Sequence, residues 1–336
     1  MLAAMADLAL DARTLTRLGE VLGAEVVRAT RLAGGACQDN FLIDVAGAAR
    51  WVLRSDARTS LPGSIDRARE FAVMKAAARA GVKTPEPLAL LGELLAPKTS
   101  AYLVPFVAGE AIGRKIVKGP ELAAARAGLA GELASELARI HSVTPTTEPH
   151  LFGDALPAVS AAHARIEGMR GPMSALRRER PALAWLVRWL EEHAPSDDPV
   201  SVLVHGDFRT GNFLVEPRGL SAVLDWEFAH FGSPYEDLSW LSVRDWRFGQ
   251  LALPIGGFSA RRPFYDAYEA ASGRALDTAK LHYWEVLGNV AWALGAACQT
   301  ERYTHGGEED LELLAIGRRA SEMEWEALRL VEKGAL

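Results

Sequence analysis

The chain has 336 residues, of which 49% are hydrophobic and 24% are charged. This is an ordinary globular composition, and the length suffices for one large domain or two ordinary ones. The net charge of −6 gives no global electrostatic basis for binding nucleic acid, so no nucleic-acid partner is expected.

The N-terminal third of the chain favours several strands around one principal helix. An amphipathic helix is predicted over residues 11–24 and a second helix over residues 65–80. Strands are predicted at residues 26–32, 40–45, 49–54, 88–91 and 101–106. Because these strands precede a helix-rich remainder, the pattern indicates a small α+β lobe joined to a larger helical lobe, with the junction near residues 104–109.

The remainder of the chain is predicted to be mainly helical, with short strands in its middle. Helices are predicted at residues 119–141, 158–170 and 181–194, and short strands at residues 201–204, 213–216 and 221–224. A loop rich in proline and threonine is expected at residues 142–157. From Pro263 to the end the pattern predicts helices, with an intervening loop at residues 302–309.

Cysteine usage and hydropathy bear on the cellular location. The two cysteines, Cys37 and Cys298, are far apart and lack metal-ligand spacing, which is typical of a reducing compartment. Asp7 and Asp11 interrupt the N-terminal segment before a signal-peptide core can form. The longest uncharged apolar-rich stretch, residues 286–300, is shorter than the roughly 18–20 residues that a membrane span needs. We therefore expect a cytoplasmic protein with no membrane partner.

A short segment in the middle of the chain carries the strongest chemical signal. His-Gly-Asp ends at Asp207, Asn212 follows five residues later, and Asp225 comes directly after the apolar run Ala-Val-Leu. Phosphoryl transfer from ATP needs one carboxylate to orient and deprotonate a hydroxyl, and an amide plus a second carboxylate to hold Mg²⁺. The spacing therefore predicts Asp207 as the catalytic base and predicts Asn212 and Asp225 as the metal ligands.

Two neighbours of Asp207 have more than one interpretation. Arg209 occupies a position where many protein kinases place a lysine near the transferred phosphate, so its guanidinium could neutralise developing charge. A surface salt bridge is the alternative role for this arginine. His205 is expected to support the loop rather than to transfer a proton.

These motifs, His-Gly-Asp-x-x-x-x-Asn followed by Asp-Trp-Glu, resemble those of the aminoglycoside phosphotransferase family, small-molecule phosphotransferases with a protein-kinase-like fold. The resemblance runs from about residue 25 to the end. It implies a two-lobed α+β fold with an N-lobe at residues 1–104, an adenine-binding hinge at 105–109 and a helical C-lobe at 110–336. The N-lobe would contain a five-stranded antiparallel sheet and one key helix.

The resemblance also implies roles for four residues of the N-lobe. Gly34 and Gly35 would belong to the loop that covers the phosphates, where glycine lets the backbone approach closely. Arg54 stands at the end of Trp-Val-Leu-Arg, where the family places a phosphate-binding lysine, and Glu70 would be its helix partner. A subgroup close to the kinase domains fused to acyl-CoA dehydrogenases also has Val-Leu-Arg there. The alternative is an exposed arginine and a solvated glutamate.

Adenine contacts and the acceptor class follow from two further positions. In the hinge, the carbonyl of Pro105 and the N–H of Val107 would receive adenine, since proline lacks an N–H but keeps its carbonyl. Asp237 resembles the buried aspartate that supports the catalytic loop. Only 11 residues separate Asp225 from Asp237, which leaves no room for the long activation segment with which protein kinases bind peptides. A small-molecule hydroxyl acceptor is expected, and no protein partner is evident.

The C-terminal helices would shape the acceptor site. Trp284 and Trp292 could line an apolar pocket, although aromatic residues on a buried helix are more often part of the core. The acidic run at residues 308–310 could attract an amine-bearing substrate or could simply begin a helix. The subgroup resemblance favours a hydroxyacyl acceptor, whereas the family resemblance favours an aminoglycoside.

The sequence therefore predicts an ATP- and Mg²⁺-dependent phosphotransferase that acts on a hydroxyl group of a small molecule. A nucleotide-binding pseudokinase without turnover is one alternative, because Arg54 replaces the usual lysine. A metal-dependent phosphohydrolase that uses His205, Asp207 and Asp225 is another. A protein kinase is disfavoured by the short segment between Asp225 and Asp237.

Overall fold

The computed structural model describes residues 10–32, 38–47, 49–56, 63–95, 99–153, 156 and 159–334. These residues form two compact units. The first unit comprises the chain up to Gly109 together with Ser221–Ala229, and the second comprises Glu110–Leu220 and the residues from His230 onward. The sequence division had placed every residue after 109 in one lobe, whereas the segment Ser221–Ala229, which contains Asp225, groups with the first unit.

The first unit is built on an antiparallel sheet of five strands in the order β1-β2-β3-β5-β4. The strands are β1 (Val26–Arg31), β2 (Gln38–Val45), β3 (Arg50–Asp56), β4 (Ala89–Gly92) and β5 (Ser100–Pro105). Strand β3 lies in the centre, paired with β2 on one side and β5 on the other. The predicted five-stranded antiparallel sheet is therefore confirmed.

One apolar cluster of this unit lies on one face of the sheet. Phe41 and Ile43 of β2, Leu53 of β3 and Leu103 of β5 are buried in one cluster, together with Leu18 from helix α1 (Ala12–Leu22). Because successive side chains of a strand point to opposite faces, the burial of Leu53 in this core directs the next residue of β3 to the other face.

Helix α2 (Arg67–Arg79) packs on β5 in the first unit. Asp66 caps it, since its side chain accepts a hydrogen bond from the backbone N–H of Arg69 at 2.8 Å. Glu70 lies in the first turn and is fully buried. An acidic side chain at this end of a helix is favoured by the helix dipole. Helix α2 begins at Arg67, two residues after the predicted start, because Asp66 caps it.

The second unit is mainly helical. Its helices are α3 (Gly113–Lys118), α4 (Ala123–Ile140), α5 (Ala161–Ala175), α6 (Pro181–His193), α7 (Pro234–Trp240), α8 (Arg261–Ser272), α9 (Thr278–His305), α10 (Leu311–Gly317) and α11 (Ala320–Lys333). A sheet-based unit and a helical unit confirm the predicted α+β class. Within the described residues, no helix has the length and apolarity needed to cross a membrane.

Helix α9 forms the centre of this unit and packs against α6, α7, α10 and α11. Trp284 is fully buried in the core, and its Nε1 donates to the carboxylate of Asp198 at 2.7 Å. The predicted loop at residues 302–309 is wrong in its first part, because α9 continues to His305. Arg302 in the last turn forms a bidentate pair with Glu308, at 2.7 and 2.6 Å, which links the helix end to the segment that follows it.

Short strands carry the central motifs. They are β6 (Val202–Val204), β7 (Phe213–Glu216), β8 (Gly219–Val223) and β9 (His230–Gly232), and they form two two-stranded sheets, β6 with β9 and β7 with β8. All three residues of β6 are buried, so the loop that follows it is anchored at a fixed point of the core. Strand β9 and helix α3 were not predicted, since each is too short to show a clear period.

Candidate active site

The loop between β6 and β7 holds the carboxylate of Asp207 in one orientation. Its oxygens accept hydrogen bonds from Nε of Arg209, 3.0 Å from each oxygen, from Nε1 of Trp240 at 2.8 Å and from Nδ2 of Asn212 at 2.6 Å. The Asp207 side chain remains 13% exposed. A carboxylate fixed in this way and still accessible is suited to bind a hydroxyl group.

Asn212 closes the loop on itself. Its Nδ2 also donates to the backbone carbonyl of Asp207, at 2.9 Å, so both bonds to Asp207 use the same nitrogen. The Oδ1 oxygen is therefore the atom of Asn212 that could serve a metal ion. The tight path of the loop depends on Gly206 and Gly211, which have φ angles of 82° and 113° that other residues rarely adopt.

Asp237, in the first turn of α7, supports this loop through the loop's backbone N–H groups. Its buried carboxylate accepts hydrogen bonds from the backbone N–H groups of His205 at 2.7 Å and Gly206 at 3.0 Å, and it lies 3.3 Å from Nε2 of His141. Burial alone would raise the pKa of Asp237, but the hydrogen bond and charge of His141, with a smaller effect of His205, hold that pKa below its usual value. Asp237 is therefore an ionised anchor for the loop, which is the role its position predicts.

Arg209 is held between Asp207 and an aromatic ring. Its guanidinium lies 4.4 Å from the ring centroid of Trp246, and Trp246 in turn packs on Trp240 with ring centroids 6.0 Å apart. The salt bridge of Arg209 is made with the candidate base itself rather than with a distant surface group. Sequence reasoning missed both tryptophans, whose only signal was their proximity in the chain to Asp237.

In the first unit, Arg54 contacts two carboxylates at once. Its Nη2 lies 3.0 Å from Oε1 of Glu70 and 3.0 Å from Oδ1 of Asp225. Burial opposes the charge of the guanidinium, but the negative charges of Glu70 and Asp225 outweigh it, so the pKa of Arg54 lies well above its usual value. The predicted pair of Arg54 and Glu70 is present, and the contact with Asp225 is an addition to it.

A second buried arginine belongs to the same cluster. Arg67 binds the other carboxylate oxygen of Glu70 and lies 3.4 Å from Asp56 and 3.6 Å from Glu227. Sequence reasoning did not identify Arg67 or Glu227 as members of the cluster. The available signals were the spacing of Arg67 three residues before Glu70 on one helix and the place of Glu227 in Asp-Trp-Glu.

Asp225 follows β8 in a strained conformation. Its φ of 69° lies in the left-handed region, which costs a residue with a side chain about 1–3 kcal/mol and is common at functional sites. The flanking residues hold it, since the buried Trp226 donates from Nε1 to Thr84 at 3.1 Å, and the backbone carbonyl of Glu227 accepts from the N–H of Ile65 at 2.8 Å. The carboxylate of Asp225 is thereby presented in a defined direction.

The donor set fits a hard cation. Within the described ranges, no three His, Cys, Asp or Glu side chains cluster in a way that could hold a metal ion. Asp225 offers a half-exposed carboxylate, and Asn212 offers an amide oxygen. Mg²⁺ is usually bound by one or two protein carboxylates with phosphate and water completing its shell, so these two residues are chemically suitable.

The structure bears only in part on the remaining predicted positions, which are the glycines of the phosphate loop and the two hinge residues. Gly34 and Gly35 lie outside the described residues. Pro105 is the last residue of β5 and faces Trp51 across the ladder, while the next N–H, that of Phe106, donates to the carbonyl of Arg50 at 3.0 Å. Since hydrogen-bonded and non-hydrogen-bonded pairs alternate, the carbonyl of Pro105 points away from β3. The adenine contacts of Pro105 and Val107 stay a prediction.

The fold and the loop together define a class, the phosphotransferases with a kinase-like fold. The chain belongs to the phosphotransferase enzyme family, whose model matches residues 28–282. Family membership confirms the predicted resemblance and the predicted enzyme class, a small-molecule kinase.

Solved structures of other proteins share this fold. A protein from Ralstonia eutropha JMP134 assigned to the aminoglycoside phosphotransferases superimposes with a TM-score of 0.76 at 22% identity, over 97% of this chain and 99% of that one. The ternary complex of aminoglycoside phosphotransferase APH(2″)-IIa with streptomycin and ATP gives a TM-score of 0.58 at 18% identity, over 90% of this chain and 93% of the other. At these identities the likeness shows the fold alone.

Relatives by sequence include acyl-CoA dehydrogenase family member 11 of Rattus norvegicus, which is 29% identical over 224 residues. The match covers 65% of this chain but 28% of the rat protein. The chain thus spans about a quarter of the length of that relative. The match agrees with the predicted resemblance to the kinase domains fused to acyl-CoA dehydrogenases, which the sequence Val-Leu-Arg indicated.

Proposed function

We propose that the protein transfers the γ-phosphoryl group of ATP to a hydroxyl group of a small molecule, with the help of Mg²⁺. The observation that carries the proposal is the carboxylate of Asp207, which Trp240, Arg209 and Asn212 hold in one orientation on a loop anchored by Asp237. Family membership and the ATP complex of a similarly folded aminoglycoside phosphotransferase support it.

In the proposed reaction, the acceptor hydroxyl donates a hydrogen bond to Asp207 and its oxygen attacks the γ-phosphorus. A new oxygen–phosphorus bond forms as the bond from that phosphorus to the bridging oxygen breaks, and ADP leaves with the electron pair. The hydroxyl proton passes to the carboxylate of Asp207 and then to solvent. Arg209 compensates the charge that develops on the phosphoryl oxygens.

Residues of the first unit would bind the nucleotide. Arg54 would contact the phosphates, and Glu70 would fix the orientation of its guanidinium. The backbone N–H groups of Gly34 and Gly35 would cover the phosphates. Pro105, through its carbonyl, and Val107, through its N–H, would receive the adenine.

Asn212 and Asp225 would hold the Mg²⁺ ion. Bound there, it would neutralise charge on the transferring phosphates. Arg54 already donates to one oxygen of Asp225. Asp225 would therefore have to share its carboxylate between the guanidinium and the metal.

The acceptor is proposed to be a small molecule because of the short chain between Asp225 and Asp237, which amounts to 11 residues. Two acceptor classes have support from relatives. An aminoglycoside is bound by the similarly folded APH(2″)-IIa, and a hydroxyacyl compound would suit the likeness to acyl-CoA dehydrogenase family member 11.

One observation favours a second candidate, a nucleotide-binding module without turnover. Arg54 stands where the family has lysine, and it occupies an oxygen of the carboxylate proposed to bind the metal. If Arg54 kept Asp225 from the metal, the protein would bind nucleotide without transferring phosphate.

The first experiment is calorimetric titration of the purified protein with ATP, with and without Mg²⁺, followed by an ADP-release assay on a panel of hydroxyl compounds. Asp207→Asn should lower turnover by about 10²–10⁴-fold while leaving ATP affinity nearly unchanged. Asp266→Asn, an exposed carboxylate of α8 outside the loop, is the matched control.

Three results would contradict the proposal. If Asp207→Asn kept most of its turnover, the base would be wrongly assigned. ATP binding without ADP release on any acceptor would favour the silent module. Release of phosphate from phosphate esters in the absence of ATP would favour the hydrolase.

A further inference from the structure

A cavity in the second unit lies beside the 3₁₀ turn at Arg244–Arg247. Its volume is about 370 Å³. Three cations, one carboxylate, two aromatic rings and a glycine line it: Arg114, Lys118, Arg319, Asp245, Trp246, Phe248 and Gly249. The cavity therefore combines positive charge with aromatic surface.

The charge of this cavity is not balanced by its own carboxylate. Arg319 already satisfies Asp245, with Nη2 2.5 Å and Nε 2.7 Å from the same oxygen, and Nε1 of Trp292 donates to the other oxygen at 2.8 Å. Arg114 and Lys118 are exposed and lie one turn apart on α3. Among the described residues no carboxylate forms an ion pair with either. Two positive charges are therefore available to a ligand.

The aromatic wall is held in a strained arrangement. Phe248 has a φ of 45°, in the left-handed region that a residue with a side chain rarely adopts. Its ring packs so closely on Gly113 that a Cβ atom there would come within 2.2 Å of it. Trp246 is 5% exposed, and in the described part of the chain its Nε1–H has no hydrogen-bond partner. The wall thus offers apolar surface, and the indole N–H of Trp246 is buried.

Trp246 also connects this cavity to the candidate base. The guanidinium of Arg209 lies over its ring at 4.4 Å, and Nε of the same arginine contacts both oxygens of Asp207 at 3.0 Å. Trp246, a wall of the cavity, is therefore separated from the Asp207 carboxylate by one side chain, that of Arg209.

We propose that this cavity binds the phosphoryl acceptor and that the acceptor carries an anionic group, a carboxylate or a phosphate. Arg114 and Lys118 bind the anionic group, and Trp246 and Phe248 contact the body of the molecule. The inference rests on the proposed function and narrows its acceptor class. A polycationic aminoglycoside would bring like charge to Arg114 and Lys118, so it is a poor acceptor.

The indole N–H of Trp246 allows a test that needs no turnover. In a two-dimensional NMR spectrum of the nine tryptophan indoles, its signal is assigned by its loss in Trp246→Phe. The probes are glycerol 3-phosphate against glycerol, 3-hydroxybutyrate against 1,3-butanediol, and kanamycin. The two anionic probes distinguish a phosphate from a carboxylate. We expect the Trp246 signal to shift with at least one of the two anionic probes. It should stay in place with glycerol, 1,3-butanediol and kanamycin, which lack an anionic group.

Charge variants make the test specific. Arg114→Ala with Lys118→Ala should weaken binding of the anionic probe by about tenfold for each cation removed. Arg178→Ala with Lys333→Ala removes the same two residue types from exposed positions outside the cavity and should leave binding unchanged. The proposal is overturned if no anionic probe shifts the Trp246 signal, if both double variants bind alike, or if ADP displaces the bound probe.

Kinetics separate the failure of this inference from the failure of the proposed function. The kinetic test uses an anionic acceptor whose phosphorylation by the parent protein releases ADP. The double variant Arg114→Ala with Lys118→Ala should raise the KM for this acceptor about a hundredfold and leave the KM for ATP unchanged. Transfer to kanamycin that is as efficient as transfer to the anionic acceptors would refute the inference and keep the kinase. If no acceptor releases ADP, the proposed function fails, whereas the NMR titration still decides whether the cavity binds anions.

Discussion

Nη2 of Arg54 donates a hydrogen bond to Oδ1 of Asp225 at 3.0 Å, although the two residues are 171 positions apart in the chain. The same nitrogen lies 3.0 Å from Oε1 of Glu70. One planar guanidinium therefore connects β3, α2 and the segment that follows β8. A lysine ammonium is a compact point charge without this fixed geometry. Arginine at this position thus positions Asp225 in addition to its proposed contact with phosphate.

Removing the charge of Arg54 should damage both stability and nucleotide use. Arg54→Met leaves the buried carboxylate of Glu70 with one arginine partner, so the first unit should lose about 3 kcal/mol or more of its free energy of unfolding. Arg54→Lys keeps the charge and should lose only about 1.5 kcal/mol, the value of one charged hydrogen bond. Urea unfolding followed by circular dichroism measures stability, and calorimetry measures ATP affinity.

The matched control for Arg54→Met is Arg28→Met, an exposed arginine on β1 of the same unit. It should leave stability and ATP affinity nearly unchanged. Equal stability of the two methionine variants would show that the buried ion cluster around Glu70 does not depend on Arg54.

Trp240→Phe should slow the reaction without weakening nucleotide binding. The variant keeps the ring but loses the N–H that donates to Asp207 at 2.8 Å. A hydrogen bond to a charged group contributes about 1.5–3 kcal/mol, so we expect kcat to fall about tenfold or more while the KM for ATP is unchanged. Trp325→Phe, whose side chain is 54% exposed on α11, is the control and should keep full activity. An undiminished kcat in Trp240→Phe would exclude a role for this indole in orienting Asp207.

The anchor at Asp237 should make stability depend on pH at the acidic end. Its pKa is lowered in the folded protein, so its contribution to stability is fully present above the unfolded value of about 3.9 and is lost as pH falls through the folded pKa. Asp237→Asn should cost about 3–5 kcal/mol at pH 7, and the difference from the parent protein should shrink below about pH 4. Tryptophan fluorescence during urea unfolding reports on the second unit, which contains seven of the nine tryptophans. A difference that does not change between pH 7 and pH 3 would rule out the ionised form of Asp237 as the source of stability.

Two glycine substitutions should have opposite effects. Gly113→Ala places a methyl group 2.2 Å from the Phe248 ring, so the ring must move and stability should fall by about 1–3 kcal/mol. Gly131→Ala, within α4, meets no atom within 4 Å and should raise stability by about 0.5–1 kcal/mol. Thermal unfolding of both variants measures the difference, and equal unfolding temperatures would mean that Phe248 does not rest on Gly113.

The sequence alone determined the elements and the loop chemistry that depend on local pattern. Strand-like runs bounded by turn residues predicted the five strands of the first unit, and the spacing from Asp207 to Asn212 selected two side chains that lie in hydrogen-bond contact. The pair of Arg54 and Glu70 came from resemblance to a family rather than from periodicity. Motifs of this kind are visible because their residues are close in the chain or stand at fixed positions in short elements.

Tertiary structure alone decided which distant groups meet. Sequence reasoning did not bring Arg67 and Glu227 into the cluster around Glu70, and it did not assign Ser221–Ala229 to the first unit. The extension of α9 to His305 and the cavity beside Trp246 were equally hidden. The physical reason is that ion pairs, close packing and cavities depend on how separate elements fold together, whereas local hydrophobic patterns report only which face of each element is buried.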